Sequence, residues 1–158
     1  MPSIINASTT SGLIQTADSS GVLQLQSSNT TAITIDTGEN VYVQAGVLWQ
    51  YTPAPTTVSG ATTLSAAQVA TGIIVASGTS YTVTLPSGSA LDTFFPGVPA
   101  VNVGFDFSLI NTGSGTVTIA VGASGMTSVG TLTVATATAT IFRLRRTAAN
   151  TYILYRLG

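Results

Sequence analysis

Apolar and polar residues alternate through most of this chain, most regularly over residues 101–121, VNVGFDFSLINTGSGTVTIAV. Val101, Val103, Phe105, Phe107 and Leu109 alternate with Asn102, Gly104, Asp106 and Ser108, the period of a strand with one buried face. Residues 111–115 form a loop rich in residues that tolerate positive φ. Val117, Ile119 and Val121 then alternate with Thr116, Thr118 and Ala120. Two such runs joined by a short Gly-rich loop predict a β-hairpin, and its apolar residues are large enough to seed a core.

The same period marks the rest of the chain. In residues 1–52, Leu23 and Leu25 alternate with Gln24 and Gln26, residues 32–36 make a short strand, and Val41 and Val43 flank Tyr42. Val47, Trp49 and Tyr51 make a last strand, with turns at 18–21 and 37–40. These four or five short strands carry few large residues, too few to close a core without neighbouring subunits or the second region. Pro53 and Pro55 favour an extended backbone and mark residues 53–57 as a linker.

Residues 58–158 form the main domain. Residues 65–71, SAAQVAT, predict a helical turn or two, capped by Ser65 and followed by Gly72. Residues 73–75 and the run Tyr81, Val83, Leu85 are strands, the second stopped by Pro86. Ser89 is placed as the cap of a short helix through Leu91 and Phe95, ended by Pro96 and Gly97. Alternation around Leu132 and Val134, around Phe142 and Leu144, and over 152–157 completes the strands. The expected fold is all-β: an N-terminal β-rich arm followed by a jelly-roll-like β-sandwich or barrel.

Charged residues make up 6 % of the chain, against about a quarter in ordinary soluble proteins. Lysine is absent, and the cations are Arg143, Arg145, Arg146 and Arg156. With a net charge of −1, repulsion does little to keep copies apart, which fits a permanent assembly better than a dilute monomer. The alternative is a secreted monomer with an uncharged surface. Residues 1–14 lack the basic and continuous apolar segments of a secretory signal, and no apolar run approaches the ~18 residues of a membrane span.

Without His, Cys or Lys, the common nucleophile–base pairs, disulfides and thiolate sites cannot be built. A zinc site would need carboxylates alone. No enzyme activity, metal or cofactor is therefore expected. An acid pair for glycoside hydrolysis would have to use Asp92 and Asp106, the acids of the main domain. Asp92 is expected in a first helical turn and Asp106 on the polar face of a strand, both ordinary positions. Asp18, Asp36 and Glu39 lie in or beside turns, where such side chains usually bond their own backbone rather than calcium. Arg143, Arg145 and Arg146 are candidates for intersubunit salt bridges. A nucleic-acid surface would need interleaved aromatics and a positive total charge, which the chain lacks. Trp49 and Tyr51 suit a core, an interface or a sugar-stacking pair.

Residues 5–36, INASTTSGLIQTADSSGVLQLQSSNTTAITID, resemble segments of virion proteins of tailed bacteriophages, notably tail fibres and head-surface proteins. Residues 64–75, 81–91, 105–130 and 152–158 resemble a β-module met in the same particles. The resemblance implies a non-enzymatic virion structural protein, usually trimeric, assembled in the host bacterial cytoplasm. It does not separate capsid from tail. A shaft of heptads or many repeats, expected of a fibre, is missing from the sequence. The leading expectation is thus a trimeric capsid decoration (cement) protein on the outer capsid surface. Its partners would be copies of itself and the major capsid protein, without nucleic acid or membrane. Ile4, Ile5, Leu13, Ile14, Leu23 and Leu25 are its candidate capsid or subunit contacts. The alternative is a short tail or head fibre whose C-terminal domain binds a host surface glycan.

Overall fold

The computed structural model describes residues 20, 22–27, 30–43, 52–95, 101–122 and 124–158. The chain divides into two units, Met1–Gln50 and Tyr51–Gly158. The described residues are mostly β, with three sheets of mixed parallel and antiparallel ladders.

In the first unit β1 (Leu23–Ser27), β2 (Thr30–Ile35) and β3 (Val41–Val43) form an antiparallel meander in that order. Asp36 holds the β2–β3 turn. Its carboxylate accepts from the backbone N–H of Gly38 (2.8 Å) and Asn40 (3.0 Å) and from the Tyr42 hydroxyl (2.9 Å). The turn-acid reading of the sequence thus has its geometry here: a short carboxylate replaces missing ladder partners where the chain reverses. The expected strand through Val47, Trp49 and Tyr51 lies outside the described residues.

The second unit begins with β4 (Thr56–Val58), β5 (Thr62–Thr63), α1 (Ala66–Val69), β6 (Ile73–Ala76), β7 (Tyr81–Thr84) and α2 (Gly88–Phe94). It continues with β8 (Gly104–Asn111), β9 (Val117–Ala120), β10 (Met126–Val129), β11 (Thr133–Val134), β12 (Thr138–Ala148) and β13 (Thr151–Arg156). One sheet runs β10-β13-β12-β8-β6-β4, the other β11-β9-β7-β5. From β4 to β9 the chain alternates between the sheets, so β4, β6 and β8 lie parallel in one and β5, β7 and β9 parallel in the other. The inner faces share one core. Ile74, Phe107, Leu109, Phe142, Leu144 and Leu154 come from the larger sheet, and Val83, Val117, Ile119 and Val134 from the smaller. Phe107 and Phe142 are paired across β8 and β12 with their rings stacked at 5.6 Å.

This topology corrects the expected hairpin. β8 and β9 never pair: β8 lies between β6 and β12, and β9 between β7 and β11. The loop after β8 carries the chain from one sheet to the other. Buried Asn111 fixes it, donating to the carbonyls of Gly115 (2.8 Å), Val134 (3.0 Å) and Ala135 (3.1 Å) and accepting from the Gly113 N–H (3.0 Å). Nor do the ladders show a jelly roll. That fold pairs neighbours antiparallel, whereas the coiling path here makes five of this unit's ladders parallel. The central strand also starts late. Asn102 takes φ +73° and interrupts it, leaving Val101 and Val103 exposed.

Local signals fare better. α1 has the expected cap at Ser65, which shares a reciprocal capping box with Gln68, and Gly72 follows at φ +78°. α2 is capped by Ser87 rather than Ser89, so Asp92 falls in its last turn, not its first. Thr56 and Thr57, expected in the linker, belong to β4, and the buried Thr56 hydroxyl donates to the Gln68 carbonyl (3.0 Å).

Candidate functional site

The expected contact residues Leu23 and Leu25 sit on β1; Ile4, Ile5, Leu13 and Ile14 lie outside the described residues. Register places Leu23 beside Ile35 and Ile35 beside Val41 in one row, and Leu25 beside Ile33 and Ile33 beside Val43 in the next. Period-2 geometry puts all six on one face, while Gln24, Thr34 and Tyr42 line up on the other. The apolar face is open: Leu23, Leu25, Ile35, Val41 and Val43 keep between 36 and 64 % of their surface. Sequence reading identified the two leucines but missed their four partners. The alternation around Ile33, Ile35, Val41 and Val43 was visible, yet only the register brings the three strands into rows.

The described acids are engaged as acceptors, Glu39 apart. The carboxylate of Asp92 takes the Arg146 guanidinium through Nε (2.9 Å) and Nη2 (2.8 Å), the Tyr152 hydroxyl (2.7 Å) and the Asn150 N–H (2.7 Å). The Arg146 and Asp92 side chains keep 13 and 18 % exposure. Arg146 first, then Tyr152 and Asn150, hold Asp92 well below the usual carboxylate range against the opposing effect of burial. Burial and the Asp92 carboxylate push the Tyr152 hydroxyl up to about 12. Asp106 pairs with Arg143 across β8 and β12 (2.6 and 2.8 Å), which also lowers its pKa. Asp36 is lowered chiefly by the Asn40 N–H. Asp18 lies outside the described residues. No described cluster of His, Cys, Asp and Glu could hold a metal ion, and no described helix is long and apolar enough to cross a membrane.

The three arginines of β12 diverge. Arg143 and Arg146 meet acids of their own chain, and Arg145 donates to the Asn102 side-chain carbonyl. The candidates for intersubunit bridges thus have partners within the chain. Arg156 clamps the loop before β11, donating to the carbonyls of Thr131 (3.2 Å) and Thr133 (2.7 Å).

An open cleft of about 760 Å³ lies by the two helices, lined by Thr63, Leu64, Ser65, Ser87, Thr93 and Phe94 among others. Its lining carries hydroxyls, an exposed aromatic ring and no charged side chain. Such a lining can hydrogen-bond and stack, but it supplies no general acid or base.

No protein-family model matches the chain, and neither the curated proteins nor the solved structures yield a match.

Proposed function

We propose that this chain is a non-enzymatic structural protein of a tailed-phage virion: a trimeric decoration (cement) protein that clamps capsid subunits through its N-terminal region. The observation that carries the reading is the open apolar face of β1–β3, with Leu23, Leu25, Ile33, Ile35, Val41 and Val43 in two cross-strand rows. Fully burying one such side chain contributes about 1.5–3 kcal/mol. Half of that is realised here, because the side chains are already partly covered, and ordering the arm offsets more. The face is small, so one copy holds weakly. Three arms in one trimer act together, since the second and third attach intramolecularly.

Attachment through this face resists salt, unlike a contact made by arginines. The test is co-sedimentation of the full chain with undecorated capsids at low salt and at about 1 M, where the Debye length is ~3 Å. Wild type is expected to pellet at both, and Leu25→Asp and Val43→Asp at neither. Release of wild type at high salt, or unchanged binding by both variants, would contradict the apolar-arm mechanism. Turnover of capsular polysaccharide or peptidoglycan, lost in Asp92→Asn or Asp106→Asn, would contradict the non-enzymatic reading.

The uncharged cleft beside Phe94 favours a second reading: a short fibre protein whose C-terminal unit holds a neutral host-surface glycan. Glycan-array binding lost in Phe94→Ala, together with no capsid attachment, would favour it over the first.

A further inference from the structure

A strand that reads as a continuous apolar run, rather than alternating, offers apolar side chains on both faces, as strands do in sheets covered on both sides. β6, flanked by parallel β4 and β8, reads Ile73, Ile74, Val75, Ala76. Ile74 and Ala76 face the core and are fully buried, whereas Ile73 and Val75 point out and are half-buried. The outward positions of the neighbouring strands extend this surface. Ile110 lies beside Val75, and Ile141 reaches Ile73 through Ser108. On β13, Ile153 sits beside Arg145, and Tyr155 beside Arg143. Ile141, near the middle of the sheet, keeps 48 % of its surface, while both its neighbours Thr140 and Phe142 are buried.

We propose that this outer face of the six-stranded sheet is the surface on which copies of this chain associate, packed against another copy. Six strands at 4.7–4.9 Å spacing make it about 28 Å wide, and the outward positions from Ala139 to Arg145 make it about 20 Å long. That footprint of about 560 Å², before side-chain relief, approaches the ~800 Å² per partner of a stable interface. The apolar face of β1–β3 is on the order of 200 Å² by the same spacing, too small to hold two copies alone. Charge also fits a partner identical to itself. Asp106, the acid on the outer face, is closed by Arg143 in a two-pronged pair, so its charge is cancelled within each copy. Arg145 stands at the end of the face and donates to Asn102. Two such faces meet with closed Arg143–Asp106 pairs at their centre, and the uncompensated charge of Arg145 stands at the end of the face.

The inference does not rest on the proposed trimer: this face packed on the same face of another copy closes a two-fold pair, and the experiment separates the two readings. The full chain is weighed in solution at micromolar concentration, as wild type, Ile141→Asp, Ser108→Lys and Leu25→Asp, with circular dichroism as the check on folding. Wild type is expected at an even multiple of 15.9 kDa. Ile141→Asp and Ser108→Lys each place an unpaired charge in the middle of the face and are expected to raise the dissociation constant at least about a hundredfold, giving a folded monomer. Ser108 points outward from a strand whose core contacts are untouched, so this variant decides the matter if Ile141→Asp does not fold. Leu25→Asp is expected to keep the assembly. A wild-type monomer overturns the inference, as does a folded Ser108→Lys protein that keeps the wild-type mass. A wild-type assembly that fails to bind undecorated capsids counts against the proposed function and leaves this face standing.

Discussion

Replacing Asn111 tests the crossover that distinguishes this fold from the expected hairpin. Asn111→Leu keeps the volume and removes all four hydrogen bonds of the side chain. The bond to the Val134 carbonyl is wholly buried; those to Gly115, Ala135 and the Gly113 N–H are partly so. A buried group left without its partner costs about 1–3 kcal/mol, and water reaches the other three and restores much of their loss. The expected destabilisation is about 2–4 kcal/mol. Asn111→Asp should be worse than Asn111→Leu, because it turns a carboxylate toward three carbonyl oxygens that now receive an N–H. Urea unfolding of the full chain, followed by circular dichroism, reads the change. With m about 2 kcal/mol/M, the midpoint of the C-terminal unit should fall by about 1–2 M. A loss below about 0.5 kcal/mol in Asn111→Leu, or a milder effect of Asn111→Asp, would show that this side chain does not tie the sheets together.

Asp92→Asn should destabilise the second unit more than Asp106→Asn, since the Asp92 pair is largely buried whereas Arg143 and Asp106 keep 52 and 42 % exposure. Asp92 has a lowered folded pKa, so its contribution is complete above the ordinary value of 3.8 and is lost as pH falls through the folded value. The gap between wild type and Asp92→Asn in urea melts should therefore hold from pH 7 to pH 5 and narrow below about pH 3.8; a gap unchanged at the lowest pH would refute the assignment. Tyr152 has a raised pKa, so its contribution is complete below 10 and is lost as pH rises toward about 12; Tyr152→Phe should blunt the alkaline loss of stability in the same melts. Gly125 stands at φ +72° and a Cβ there would overlap the Asn150 carbonyl oxygen, so Gly125→Ala should lower the melting temperature by several degrees, and an unchanged value would refute that close approach.

What was legible in the sequence follows from what alternation encodes. It names the face of a strand, and the inward residues Phe105, Phe107, Leu109, Val117, Ile119, Phe142 and Leu144 all pack in or against the core. It does not name the neighbour. Residues 104–120 fit a hairpin as well as a crossover, and only the Asn111 contacts across the sheets and the parallel partners β6 and β7 decide between them. α1 was readable because its capping box spans four adjacent residues, Ser65 to Gln68. The role of Asp92 was not, since Arg146, Asn150 and Tyr152 lie more than fifty positions away. The candidate surfaces show the same division. Leu23 and Leu25 stood out on their own strand, but a six-residue apolar face exists only once β2 and β3 are set in register beside them. On the outer face of the larger sheet, likewise, the pairing of Arg143 with Asp106 is set by the register of β8 and β12, which sequence spacing does not disclose.

The proposal that this chain is a capsid decoration protein is tested most directly by counting its copies against the major capsid protein in purified phage particles, by quantitative mass spectrometry. The account expects hundreds of copies per particle, in a fixed ratio to the capsid subunit and unchanged after a wash at about 1 M salt. A count of tens or fewer, or absence from the particle, would contradict it.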